Sequence, residues 1–110
     1  MNIYDTANKL SSEIKSSEEY VNYKMAREVI SLRPDLKDEI AKFEQLRYEL
    51  QINQMQTGKV DEEKMKQIQE IYTRLIEIDE IKKYFDAELK FNVLLADVNK
   101  IIGDAVKDLM

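Results

Sequence analysis

The chain has 110 residues, 35% of them charged, with a formal net charge of -5, 2 Gly, 1 Pro and neither cysteine nor histidine. This length favours a single domain over residues 1–110, and the scarcity of turn-forming residues favours long helices with short connections. The acidic balance argues against a nucleic-acid-binding face, and no apolar run approaches the ~20 residues of a membrane span. Without thiols or imidazoles there are no disulfides and no common soft-metal ligands.

The N-terminal stretch has no signal-peptide pattern. It reads MNIYDTANKL, which lacks both a basic segment and a long apolar segment. A secretory signal requires the two in succession. We therefore expect a cytoplasmic protein.

Two short amphipathic helices are predicted first. The opening apolar residues share one helical face at Ile3, Ala7, Leu10 and Ile14. This pattern predicts a helix that ends near Lys15. Ser16 and Glu19 have the spacing of a capping box, so a second helix should begin there. Its apolar positions are Val21, Met25, Val29 and Leu32. Pro34 should end it near Arg33, because proline disfavours a helical conformation in the residue before it.

The third helix should begin at Pro34, since proline suits the first helical position. One seam of this helix contains Leu36, Ile40, Phe43, Arg47 and Leu50. A nearly opposite face contains Tyr48, Ile52 and Met55. A helix that is apolar on two sides usually contacts two partners. A small domain has little with which to cover both sides, so this pattern predicts a homodimer.

The fourth helix should pack against the third as an antiparallel hairpin. Gly58 suits a left-handed C-terminal cap, and Asp61 suits an N-terminal cap a few residues later. The apolar residues that follow are Met65, Ile68, Ile71, Tyr72 and Leu75. Such a short turn joins antiparallel neighbours. Asp79 either caps a fifth helix or lies at a kink in a continuous one.

The last predicted helix runs to the end of the chain and has a broad apolar sector. That sector contains Tyr84, Phe91, Leu94, Leu95, Val98, Ile101, Ile102, Ala105 and Leu109. Asn92 and Asn99 lie at its edge, in a strip with Phe85, Ala96 and Gly103. A glycine inside a helix costs about 1 kcal/mol relative to alanine, so a close helix contact would explain Gly103. We expect the amides to fix the register of a neighbouring helix; the alternative is that they are hydrated.

Glu88 is the one acid inside this apolar sector. It is either a buried acid, or it pairs with a cation such as Arg47 or extends to an interface. The residues proposed for protein interfaces are therefore Tyr48, Ile52, Met55, Glu88, Asn92, Ala96, Asn99 and Gly103.

Carboxylates are the only plentiful reactive groups. One hypothesis is that Glu62, Glu63, Glu77 and Glu80 form acidic helix pairs that bind Mg²⁺, as in all-α metal-dependent hydrolases. The simpler interpretation is that they are hydrated helix ends, where acids complement the helix dipole. We predict no catalytic, cofactor-binding or metal-binding residues.

Three stretches resemble the YlbF/YmcA family of small helical bacterial regulators. They are NIYDTANKL with SSEEY, FEQLRYELQINQMQTGK and YFDAELKFNVLLADVNKII, and the similarity extends over nearly the whole chain. The cysteine-free YheA-like branch is the most similar. The resemblance implies an all-α dimer without enzymatic activity.

Better-studied family members form a complex of YmcA, YlbF and YaaT. That complex influences competence, sporulation, biofilm formation and mRNA processing by RNase Y. The resemblance thus implies that this chain acts by contacting a second copy of itself, as a homodimer, and other regulatory proteins. Some members carry an iron–sulfur cluster on cysteines, which this chain lacks.

Overall fold

The computed structural model describes residues 2–110. In chain order its helices are α1 (Ile3–Ser16), α2 (Glu18–Ser31), α3 (Pro34–Thr57), α4 (Glu62–Leu75) and α5 (Asp79–Val106), followed by a short 3-10 turn (Lys107–Leu109). No strand occurs in this part of the chain. The predicted all-α class with five helices is confirmed. None of the helices described is both long and apolar enough to cross a membrane.

Local signals set most of the helix ends as predicted. Pro34 occupies the first turn of α3. Gly58 ends that helix with φ of 71°, a left-handed conformation that glycine adopts without steric cost. The side chain of Asp61 accepts a hydrogen bond from the backbone N–H of Lys64, 3.1 Å away, at the start of α4. Asp79 begins a separate helix after the turn at 76–78.

The cap between α1 and α2 was predicted one residue too early. Ser16 is the last residue of α1, and its hydroxyl donates to the carbonyl of Ser12. Ser17 is the capping residue: its Oγ accepts from the backbone N–H of Tyr20 at 3.1 Å and donates to the carbonyl of Ile14 at 2.6 Å. Ser16 and Ser17 are adjacent and serine is a favoured cap at either position, so only the extended backbone conformation at Ser17 distinguishes them.

The chain forms two compact units, and one of them comprises Glu28–Lys83. In it α3 and α4 pack against each other, which confirms the predicted hairpin. The rings of Phe43 and Tyr72 lie 5.9 Å apart across these helices. The buried side chains of this unit are Ile30, Leu36, Ile40, Phe43, Leu75 and Ile81. Four of these residues, Leu36, Ile40, Phe43 and Leu75, belong to the hairpin, and burial of each large apolar side chain contributes roughly 1.5–3 kcal/mol.

The other unit comprises the N-terminal residues up to Arg27 together with Tyr84–Met110. Its centre is a group of aromatic rings from α2 and α5. Tyr20 lies 5.9 Å from Phe91 in an edge-to-face arrangement, and Tyr23 lies 5.8 Å from Tyr84 and 5.6 Å from Phe91. Such ring pairs add about 0.5–1.5 kcal/mol beyond their buried area. The single domain predicted from the length of the chain stays a prediction.

Candidate protein-interaction surfaces

The second apolar face of α3 lies at the surface. Tyr48 is 62% exposed and Met55 is 75% exposed, and Ile52 between them is half-buried. We call these three residues the α3 face. Tyr48 and Ile52 line a shallow groove whose other walls are polar. The polar walls come from Gln45, Glu49, Asn53, Gln56 and Lys64. Such a surface suits a protein contact. A tyrosine offers an apolar ring and a polar hydroxyl, and a methionine side chain adapts its shape to a partner.

Glu88 is half-buried and pairs with a phenol rather than with a cation. The hydroxyl of Tyr23 donates a hydrogen bond to Glu88 Oε2 over 3.3 Å. Burial and the nearby charge of Glu88 raise the pKa of Tyr23, although a hydrogen bond with Tyr84 lowers it in part. Arg47, the cation suggested from the sequence, lies instead over the ring of Phe43 at 5.5 Å.

The strip that carries the two asparagines is open along its length. Asn92, Ala96, Asn99 and Gly103 are all exposed. A Cβ added at Gly103 would meet nothing within 4 Å. Within residues 2–110, then, no other helix packs over this strip, and its role as an interface stays a prediction.

Phe85 was wrongly assigned to this strip, since only 8% of it is exposed. Its ring lies 5.7 Å from that of Tyr84, and the preceding turn is covered as well, because Ile81 is fully buried. Near its N-terminal end α5 is therefore covered over a wider arc than the helical wheel suggested. Near its C-terminal end α5 is covered less: Ile101 is 71% exposed and Ile102 is 53% exposed.

The acidic residues considered for a metal site do not form a metal-binding cluster in residues 2–110. Glu62 and Glu63 lie in the first turn of α4, and Glu80 lies in the first turn of α5. Glu80 contacts Arg33 at 3.6 Å instead. Across residues 2–110, no group of three or more Asp or Glu side chains is arranged to hold a metal ion. The hydrolase alternative thus has no geometric support in this part of the chain.

Sequence reasoning missed the inner face of α2. Tyr20 and Tyr23 form the aromatic group of their unit, whereas the apolar positions chosen from the sequence lie outward. Those outward residues are Val21, Met25, Val29 and Leu32, with exposed fractions of 43%, 59%, 46% and 81%. The signal was present, since two tyrosines three residues apart share one side of a helix. It was masked because α2 is apolar on two sides.

Taken together, residues 2–110 form an all-α protein whose notable features are exposed apolar helix faces. The chain belongs to the family described as "Control of competence regulator ComK, YlbF/YmcA", whose model matches residues 3–107.

Proteins of several bacteria are similar to it over nearly their whole length. A UPF0342 protein of Symbiobacterium thermophilum is 36% identical over 104 residues, covering 94% of this chain and 93% of that protein. A UPF0342 protein of Clostridium novyi is 33% identical over 109 residues, covering 98% and 95%. One of Pediococcus pentosaceus is 32% identical over 109 residues, covering 99% and 96%. The family predicted from the sequence is therefore confirmed, while the YheA-like branch stays a prediction.

Proposed function

We propose that this protein is a non-enzymatic regulatory adaptor that works as a cytoplasmic homodimer. It acts by binding other regulatory proteins, in the manner of the YlbF/YmcA regulators of competence, sporulation, biofilm formation and mRNA processing. It contacts neither nucleic acid nor membrane directly. Membership of the family supports the regulatory role, and the net charge of -5 supports protein partners over nucleic acid.

The observation that carries this proposal is the exposure of the α3 face. Tyr48 and Met55 leave most of their surface in water, at 62% and 75%. Large exposed apolar groups rimmed by polar ones mark protein contacts on soluble proteins. The rim here is made of amides and opposite charges rather than one sign of charge. We therefore assign the α3 face to an amphipathic helix of a partner protein, which would lay apolar residues over Tyr48 and Met55.

Two measurements test the proposal. Light scattering after size exclusion should give a dimer mass at micromolar concentration, and a monomer mass at every concentration would refute the homodimer. Affinity purification from the native host should recover the same protein partner repeatedly with the parent chain. That partner should be lost on replacing Tyr48 and Met55 together by serine, because the contact area is removed.

The control replaces Tyr4 by serine, since Tyr4 is at least as exposed as Tyr48 and Met55, at 76%, but lies on α1. The control should retain the partner. Recovery that is unchanged by the Tyr48 and Met55 substitutions would contradict the assignment of the α3 face. Loss of the partner in the control as well would show that the effect is not specific to that face.

A further inference from the structure

The exposed side of α5 has the spacing of a helix-pairing seam. Its residues follow one another at alternating intervals of three and four: Leu89, Asn92, Ala96, Asn99, Gly103 and Val106. All six, which we call the α5 seam, are exposed. Its two large apolar side chains are well exposed, Leu89 at 64% and Val106 at 42%. This alternation is the repeat by which two helices interlock along their length.

We propose that the α5 seam binds the same seam of a second copy of this chain, with the two helices antiparallel. The inference rests on the homodimer proposed above and adds its face and direction. In an antiparallel pair the two classes of seam position alternate across the contact. One alignment pairs all six residues: Leu89 with Val106, Asn92 with Gly103, and Ala96 with Asn99 of the second copy.

This alignment matches side-chain sizes. Each asparagine lies opposite a small residue, Asn92 opposite Gly103 and Asn99 opposite Ala96 of the second copy. The helices can then approach closely, which gives a physical reason for a glycine that has open space around it in the single chain. The Asn99 amides of the two copies lie in adjacent layers at the centre, where they can hydrogen-bond to each other. Leu89 and Val106 close the seam at both ends.

The charges beside the seam favour the antiparallel direction. Asp86 lies on α5 before the seam, and Lys107 is the first residue of the 3-10 turn that follows α5. By helical spacing the two fall on the same side of the seam. Antiparallel pairing brings Asp86 of each copy opposite Lys107 of the other, which gives two opposite-charge contacts. On the other flank, Leu95 of each copy meets Ile102 of the second copy, and Ile102 is 53% exposed in the single chain.

Parallel pairing brings no such match. The flanking contacts would then be Glu88 with Val93, Leu95 with Lys100, and Ile102 with Lys107 of the second copy. None of these joins opposite charges. Antiparallel pairing also sets one ammonium group against an aliphatic side chain, Lys100 against Val93 of the second copy, so the direction rests on Asp86 and Lys107. The complementarity of charge therefore selects one of the two directions.

Charge exchange tests the pairing. Asp86→Lys and Lys107→Asp should each weaken the dimer about tenfold at low salt, because two exposed opposite-charge contacts become repulsive. The variant that carries both substitutions should return to the parent's dissociation constant, measured by light scattering over a dilution series. Glu13→Lys on α1 makes the same change of charge away from the seam, and it should leave the constant unchanged.

Disulfide cross-linking tests the direction, since the chain has no cysteine of its own. Ala96→Cys and Asn99→Cys variants, mixed in equal amounts and oxidised, should give chiefly the mixed disulfide-linked dimer. Parallel pairing would instead link each variant to itself. Glu13→Cys should give little cross-linking with either variant. Circular dichroism on each variant checks that these exposed substitutions leave the helices folded.

The outcomes separate this inference from the homodimer itself. A dimer whose dissociation constant ignores Asp86 and Lys107 would overturn the α5 seam and leave the homodimer standing. Weakening by both single substitutions without recovery in the double one would overturn the antiparallel alignment. A parent chain that is monomeric at all concentrations would overturn both proposals.

Discussion

The hydroxyl of Tyr23 on α2 donates a hydrogen bond to the carboxylate of Glu88 on α5, with 3.3 Å between the oxygens. The ring of Tyr23 packs at the same time against Phe91 at 5.6 Å, and the guanidinium of Arg27 lies 5.7 Å from its centre. The phenol thus keeps its polar tip satisfied while its ring joins the apolar centre of this unit. That combination explains why an acid is tolerated within the apolar sector of α5.

Tyr23→Phe should lower stability by about 1 kcal/mol at neutral pH and by less at alkaline pH. Burial, reinforced by Glu88 and partly offset by Tyr84, raises the pKa of Tyr23 in the folded chain. The unfolded phenol ionises near ~10, so this group's stabilising effect is complete below that pH and is lost as the pH rises through the higher folded value. Thermal midpoints of parent and variant should therefore converge from about pH 9 to about pH 11.

Tyr4→Phe is the control for this pH dependence, because Tyr4 is 76% exposed and on α1. Its midpoint should follow that of the parent across the same range. A constant difference between the parent and Tyr23→Phe at every pH would show that ionisation of Tyr23 is not linked to folding.

Gly58→Ala should destabilise the chain by about 1 kcal/mol or more. The open space around Gly58 would accept a Cβ, but φ of 71° is costly for any residue that has one. Urea denaturation measures the change. An unaltered denaturation midpoint would mean that the α3 cap rearranges without cost.

Gly103→Ala should act in the opposite direction on the single chain. Gly103 lies inside α5 and its missing Cβ would meet nothing, so alanine should stabilise the dilute chain by up to about 1 kcal/mol. The same substitution should weaken the dimer, because a methyl group would then stand opposite Asn92 of the second copy. Stabilisation together with an unchanged dissociation constant would place Gly103 outside the dimer contact.

Replacing Asn92 and Asn99 together by leucine should change assembly rather than reduce stability. Leucine removes the requirement that buried amides find partners, so several alignments become acceptable. We expect a mixture of dimers and larger oligomers on size exclusion with light scattering, and no loss of stability to denaturant. A single species identical to that of the parent would favour the alternative that both amides are hydrated.

The folded protein should need no metal ion or iron–sulfur cluster. Elemental analysis after dialysis against a chelator should find no stoichiometric transition metal. Addition of Mg²⁺ or Mn²⁺ should leave the thermal midpoint unchanged, since a ligand of the native state would raise it in proportion to RT ln(1 + [L]/Kd). A specific rise that disappears on replacing Glu62 and Glu63 by glutamine would revive the hydrolase alternative.

By itself the sequence determined the helices and most of their ends. Pro34, Gly58 and Asp61 act through backbone conformation and adjacent amides, so their effects need no distant partner. The hairpin of α3 and α4 followed from the short turn between them, and the family followed from the order of three stretches. The exposed α3 face could be predicted from the sequence. Its apolar residues lie on the side of α3 opposite the longer apolar row that includes Leu36, Ile40 and Phe43, and that row is the one buried.

Tertiary structure alone decided which apolar side of a helix lies inside. On α2 the tyrosines Tyr20 and Tyr23 pack inward, while Met25 and Leu32 remain exposed, although either side is apolar. On α5 Phe85 is buried beyond the edge that periodicity predicted. Periodicity reports that a face is apolar, but burial depends on which neighbouring helices are present to cover it. Within residues 2–110, no helix covers Asn92 and Asn99, which are both exposed.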